Sequence, residues 1–455
     1  MALPTDYYTP TAMSDTVTAI RVDGGYIIQI KDLDNVFVSD ANVQGLADFF
    51  LNPSEGLPIR YQDTGNIDAF GRLRVSQVTT QYDAKQLYDK LPLFVDEVLN
   101  GGATATHSTT EARTQLATSS TGDYAILQTK QRFNYQSGKS QLIFMTFNGF
   151  DTETNITKRI GYFSSSTIAP HTADFDGIFL QDDGTNLSLN IYKTGSASLS
   201  VNRSSWDDPL DGTGASGINH DFANNTILAI DFEWLGIGRV RFYLVTGGGF
   251  VQFHAKDFTN LSGGVYMSSP NQPLRWEIRQ TGAGSGTMNL NCSSVNSEGS
   301  INKLGKLFSD NLGTEFVNAN STSDKYALLG IRLNSSGFDA LVDLLTISLL
   351  AATNDNVLWE VWLNPTVAGT FTYNSVTNSS VQIAKGDSAG TNTVTGGSLL
   401  DSGYMLASST ARLNIDNAIR LGASIAGTQD TIVLTANPLS TNLDIYASLT
   451  WRELV

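Results

Sequence analysis

The stretch Leu228-Ala229-Ile230-Asp231-Phe232-Glu233-Trp234-Leu235-Gly236-Ile237-Gly238-Arg239-Val240-Arg241-Phe242-Tyr243-Leu244 carries the fold class in its spacing. Successive side chains of an extended strand point to opposite faces, so Leu228, Ile230, Phe232 and Trp234 share one face. Asp231 and Glu233 lie on the other. Gly236-Ile237-Gly238 then turns the chain, and Val240, Phe242 and Leu244 alternate with Arg239, Arg241 and Tyr243. Antiparallel neighbours of this kind set Asp231 and Glu233 against Arg239 and Arg241 as cross-strand pairs.

The same period recurs outward in both directions. Gln141–Phe147 reads as a buried strand, followed by Ile160–Phe163 and Gly177–Gln181, with a turn at Asp182-Asp183-Gly184. Leu187, Leu189 and Ile191 share a face, and Leu274-Arg275-Trp276-Glu277-Ile278-Arg279 alternates strictly. Gly247-Gly248-Gly249 turns the chain into Phe250–His254. Past a boundary near 295–310 the pattern resumes at Tyr326–Leu333, Val357–Leu363, Phe371–Tyr373 and Thr431–Leu434. It closes with Leu443, Ile445, Ala447, Leu449 and Trp451 on one face. Turn-linked two-faced strands at this spacing are those of sandwiches and jelly rolls. Phe338–Val342 reads as one helical turn or a loop. No short-period solenoid repeat is present.

The first hundred residues alternate less. Tyr26–Lys31 and Val36–Val38 read as strands, and Asp68–Val75 as a turn feeding a strand. Asp83 is placed to cap a short helix through Lys85, Leu87 and Tyr88, stopped by Pro92. Residues 101–122 are rich in Thr, Ser, Ala and Gly, as an exposed strand-and-loop stretch or a linker would be. The expected architecture is all-β: an N-terminal attachment or oligomerisation region with a short helix over 1–100, then two antiparallel jelly-roll-like sandwiches over 101–300 and 301–455.

Composition bounds the chemistry. Over 455 residues, 28 Lys and Arg face 44 Asp and Glu, a formal charge of -16 that opposes nucleic-acid binding by counterion release. It equally opposes an electrostatic membrane anchor. No run approaches the roughly 20 apolar residues of a membrane span, and the N-terminus lacks the basic and apolar regions of a signal peptide. We therefore expect synthesis in the cytosol. One cysteine, Cys292, excludes intrachain disulfides and Cys-rich zinc sites, and it reads as a small buried residue.

Motif matches fail on context. Gly212-Thr213-Gly214-Ala215-Ser216-Gly217 fits GxGxxG, but no helix follows, and Asp207, Asp208 and Asp211 beside it would repel a phosphate. Those three carboxylates and Asp182-Asp183 lack the spacing of a calcium loop and read as turn residues. Gly386-Asp387-Ser388-Ala389-Gly390 fits Gly-x-Ser-x-Gly, again without a helix, and no histidine follows His254. His107, His171, His220 and His254 are scattered. No catalytic, cofactor or metal residue is assigned, and a non-enzymatic protein is expected. Trp359 and Trp362 lie on opposite faces of a strand, so one points away from its own core toward an interface or a ligand, unless both pack between two sheets.

Five stretches resemble tailed-bacteriophage virion structural proteins: Asp68–Ser76, Tyr82–Leu87, Gln131–Ser140, Asp231–Phe242 and Pro273–Ile278. Residues 124–300 are also similar to concanavalin-like or laminin-G-like sandwiches. The resemblance implies a virion component, a capsid fibre or decoration or a tail-fibre part. Its partners would be other virion proteins and copies of itself, with a trimer as the first expectation. The alternative is a carbohydrate-binding module for adhesion to host surface glycans, and a glycan depolymerase ranks after it.

Overall fold

The computed structural model describes the backbone of 17–22 and 25–30. It also describes residues 67–454 apart from 71, 76, 166–173, 262, 302–303, 354, 415–419 and 441. The chain divides into two units, Met1–Gln62 and Asp63–Val455. In the first unit, Val17–Val22 and Gly25–Ile30 pair as an antiparallel hairpin.

The second unit holds two sandwiches, each with its own apolar core. In the first, a seven-stranded antiparallel sheet runs Ser196–Asn202, Leu187–Lys193, Phe175–Asp182, Ile156–Ser165, Leu274–Gln280, Tyr124–Thr129, Val95–Asn100. The facing eight-stranded sheet runs Gly249–Asp257, Arg239–Thr246, Thr226–Phe232, Gln141–Asn148, Gly286–Ser297, Arg113–Thr118, Thr104–Ser108, with Thr79–Ala84 also on Gly286–Ser297. The chain crosses between the sheets several times, while Ile156–Ser165 through Ser196–Asn202 stay in the first and Thr226–Phe232 through Gly249–Asp257 in the second.

The alternation sets the core. Leu187, Leu189, Ile191, Leu228, Ile230, Phe232, Val240, Phe242 and Leu244 belong to one buried cluster, with Trp234 against it. Burying each such side chain contributes about 1.5–3 kcal/mol before entropy is counted. Asp231 pairs directly with Arg241, as the hairpin spacing predicts, and Glu233 Oε1 accepts the Arg239 amide at 3.2 Å.

Two glycines let adjacent strands carry large rings. Gly177 (φ +126°) pairs with Phe163, and Gly161 pairs with Phe179. A Cβ at Gly161 would stand 2.3 Å from the Ile178 carbonyl oxygen, and one at Gly177 equally close to that of Tyr162. The Phe163 and Phe179 rings lie over this bare patch with centroids 4.6 Å apart.

In the second sandwich, Leu443–Leu454 pairs with Gly305–Asn311, Val317–Ala319 and Leu341–Ala351, and Thr410–Asn414 forms the far edge of that sheet. The facing sheet runs Asn374–Ser375, Val381–Lys385, Tyr326–Leu333, Thr431–Pro438, Val357–Leu363, Ser398–Met405. Leu443, Ile445, Ala447, Leu449 and Trp451 all enter its core.

Several expectations are corrected. Asp83 caps no helix: it lies in the strand Thr79–Ala84, held by Gly286–Ser297, and positive φ at Gln86 and Leu91 breaks any helical run between them. The first sandwich begins before residue 101, because Thr79–Ala84 and Val95–Asn100 are strands of its two sheets. Residues 104–108 and 113–118 are strands of that sandwich, the former at its edge, so of the two readings the strand-and-loop stretch holds and the linker does not. Phe371–Tyr373 is not a strand; at Phe338–Val342, where the spacing leaves a helical turn or a loop open, there is a turn at Phe338-Asp339 before the strand Leu341–Ala351. Cys292 is exposed rather than buried, because the pairing of Gly286–Ser297 with Gln141–Asn148 shifts register between Leu290 and Ser293. The strand expected at Val36–Val38 and His171 lie outside the described residues.

The sandwiches meet along one seam. The amide of Ala423 donates to the Lys130 carbonyl at 3.2 Å, and that of Ile425 to Asp96 Oδ2 at 2.7 Å. Asn271 Nδ2 donates to the Asp339 carbonyl at 3.2 Å. A side chain at Gly422 would meet the Lys130 carbonyl oxygen at 2.5 Å, so only glycine permits this approach.

Candidate functional site: a polar cleft between the sandwiches

Beside this seam lies a cleft of about 490 Å³, within the roughly 300–1,000 Å³ range of small-ligand sites. The first sandwich supplies strand ends, which place side chains on a rigid frame: Gln128 and Thr129, Ser164 and Ser165, Asp174 and Asp176. The second supplies Phe338 and Asp339 from the turn before Leu341–Ala351, and Ser424, Ile425 and Gly427 from a loop.

Gln272, fully buried, organises the wall. Its Oε1 accepts from Arg132 Nη1 and Ser164 Oγ, both at 2.8 Å. Its Nε2 donates to Asp176 Oδ2 at 2.7 Å and to the Ser269 carbonyl at 2.9 Å. Asp176 also accepts the amides of Ser268 at 2.8 Å and Ser269 at 3.2 Å. With three donors its carboxylate is rigidly placed.

Arg132 is half-buried and held from one side only. Nη1 donates to Gln272 and, at 3.1 Å, to the Asn271 carbonyl. Among the described residues Nε and Nη2 have no hydrogen-bond partner, and no carboxylate lies within ion-pair distance. Burial lowers its pKa, and the negative fields of Asp339 and Asp176 oppose that shift. A guanidinium stays protonated regardless.

The motif residues are placed elsewhere and are occupied locally. Asp208 accepts the amides of Leu210 at 3.0 Å and Ser216 at 2.7 Å, filling the loop that matched GxGxxG. A Cβ at Gly214 would meet Asp208 Oδ1 at 2.0 Å, so glycine there serves the carboxylate. Asp207 takes the Ala255 amide at 2.9 Å, and Asp211 that of Thr213 at 2.9 Å. Asp182 takes the amides of Thr152 at 2.7 Å and Gly184 at 2.9 Å, while Asp183 takes those of Thr185 and Asn186. Each of these carboxylates is therefore held by its own set of backbone amides.

Ser388 sits exposed in a turn whose Asp387 accepts the Thr391 amide at 2.8 Å. His107 Nε2 contacts the Gln86 carbonyl at 2.7 Å, and His220 Nε2 contacts Thr226 Oγ1 at 2.8 Å. His254 Nδ1 lies 3.2 Å from Asp207 Oδ2. The tryptophans divide as their spacing predicts. Trp359 is in the core, while Trp362 faces outward under Lys325, whose Nζ is 3.7 Å from the ring centroid.

None of the cleft residues was singled out from motifs. Arg132 sits inside the stretch Gln131–Ser140 that carries the virion resemblance, and Gln272 directly precedes Pro273–Ile278. That adjacency was the available signal.

No family model matches the chain, and no curated protein matches it in sequence. Among solved structures it is similar to the Bacillus licheniformis β-glucanase, with 11% identity over 47% of this chain and 96% of that one, TM-score 0.33. It is similar to the legume lectin-like domain from Entamoeba histolytica, with 9% identity over 48% and 98% of the two chains, TM-score 0.30. A third likeness is to the VIP36 exoplasmic/lumenal domain in its metal-free form, with 14% identity over 50% and 100%, TM-score 0.31. No site residue is carried from these proteins to this chain.

Proposed function

We propose that this protein is a carbohydrate-binding module whose ligand lies in the cleft between the sandwiches. One observation carries the reading: a cleft of about 490 Å³ combines pre-positioned amides, hydroxyls and carboxylates with the ring of Phe338. Sugar hydroxyls need donors and acceptors at fixed positions, and their C–H faces pack on aromatic rings. Asp176 is spent on three donors, so it serves as an acceptor for hydroxyls rather than as an acid or base. The module binds without cleaving, and no calcium is required.

The test is a glycan array with the full chain, with and without calcium, followed by titration calorimetry on Gln272→Ala and Phe338→Ala. Weakened binding in both variants while each remains folded, with no release of sugar, supports the reading. An array on which nothing binds overturns it.

A second reading, compatible with the first, is a virion component bearing this module, made in the host cytosol and attached through its first hundred residues. Its support is the sequence resemblance and one surface. Among the described residues Ser398–Met405 is the last strand at one edge of its sheet, and Leu399, Tyr404 and Leu406 on and beside it are exposed. Open apolar edges pair readily with another chain. Light scattering on the purified chain tests self-association: a trimer supports this reading, and a monomer at high concentration counts against it.

A further inference from the structure

We infer that the cleft selects acidic saccharides, and that Arg132 is the residue that reads their carboxylate. The inference rests on the carbohydrate-binding reading and narrows its ligand class. A guanidinium in a cleft wall is costly to desolvate, and an ion partner normally offsets that cost. Arg132 has none among the described residues, while Gln272 and the Asn271 carbonyl fix its Nη1. The Nε and Nη2 hydrogens are left over. Two such parallel donors match the two oxygens of a carboxylate, which is the geometry in which arginine is selective.

The surrounding carboxylates sharpen the argument. Asp176 and Asp339 are near enough to act on Arg132 through their fields, yet neither bonds to it. Asp176 is turned away by the Ser268 and Ser269 amides and by Gln272. Asp339 sits across the seam, where its carbonyl is anchored by Asn271. A neutral sugar would leave the guanidinium with only the fields of Asp176 and Asp339 and no bonded anion. A uronate unit would pair with it and leave its hydroxyls to Asp176 and the serines around the cleft.

The experiment compares oligouronides (galacturonate, glucuronate and mannuronate series) with their methyl esters, which keep the sugar and remove the charge. Titration calorimetry on the full chain is expected to show at least one acid binding about tenfold or more tighter than its ester, the scale of one charge-assisted contact. Arg132→Gln should erase that ratio, and Arg132→Lys should restore only part, because an ammonium cannot present two parallel donors. Equal affinity for acid and ester in the unmodified protein overturns the inference without requiring any variant to fold. Binding confined to neutral glycans overturns it while the carbohydrate-binding reading survives. No glycan binding of either kind overturns both.

Discussion

Arg74 is ion-paired to Asp231 across 157 residues of chain, and the pair latches the segment that enters the first sandwich. Asp231 is fully buried and shares the same oxygen with Arg241, while Arg74 also reaches Glu298. Arg74 Nε and Arg241 Nη2 both donate to the Ile67 carbonyl, at 3.0 and 2.9 Å. Ser140 Oγ donates to the other oxygen of Asp231. Three of the five stretches that resemble virion proteins therefore meet at one buried network.

Arg74→Ala leaves Asp231 and Glu298 without their shared cation. Asp231 keeps Arg241, so the loss should stay below the roughly 3–5 kcal/mol of a fully orphaned buried charge, and urea denaturation should show about 1–3 kcal/mol. A loss under about 1 kcal/mol would mean that the pair behaves as a surface one.

Asp123 gives a pH signature. Its carboxyl accepts amides of Ser119 at 3.0 Å, Gly102 at 2.8 Å and Ser120 at 2.9 Å. The Ser119 and Gly102 amides lead in holding its pKa below the ordinary value, against the opposing pull of burial. A depressed folded pKa means stability that is present above the unfolded value of about 3.9 and lost as pH falls through the folded one. Asp123→Asn should lower the melting temperature at pH 7, and the gap to the unmodified protein should narrow as pH falls below the unfolded value of about 3.9.

His220 acts in the opposite sense. Burial first, then the charge of Arg203, lowers its pKa, with Asp221 opposing. The unfolded chain therefore takes up the proton first, and stability falls as pH drops below about 6.5 toward the folded pKa. In His220→Gln that part of the pH–melting curve should flatten. An unchanged slope would assign the dependence to other groups.

Gly161→Val should cost about 3 kcal/mol or more, since the obstacle is backbone at 2.3 Å rather than a movable side chain. Phe179→Leu, which keeps the glycine, should cost less than half as much. Equal losses would show that the ring, not the close approach, carries the stability.

Strand alternation was readable because its cause is local. A period of two between apolar and polar residues needs only the pleat and one water-facing side, so Leu228 to Leu244 and Leu443 to Trp451 announce their faces without reference to the rest of the chain. The Asp231–Arg241 pair follows from the same local geometry. The failures are places where backbone conformation overrides spacing. Positive φ at Gln86 and Leu91 undoes a helix that Asp83, Leu87 and Tyr88 suggest, and a register shift turns Cys292 outward.

The amino-acid order thus carried the β architecture and the core faces. The cleft is another matter. Arg132, Asp176, Gln272, Phe338 and Gly427 come from five separate segments of two sandwiches, and no one of them is unusual where it stands. What makes Arg132 a candidate is the absence, among the described residues, of a partner for half its guanidinium, and partners are assigned by packing. Periodicity is a property of neighbours along the chain, whereas an unpaired charge is a property of neighbours in space.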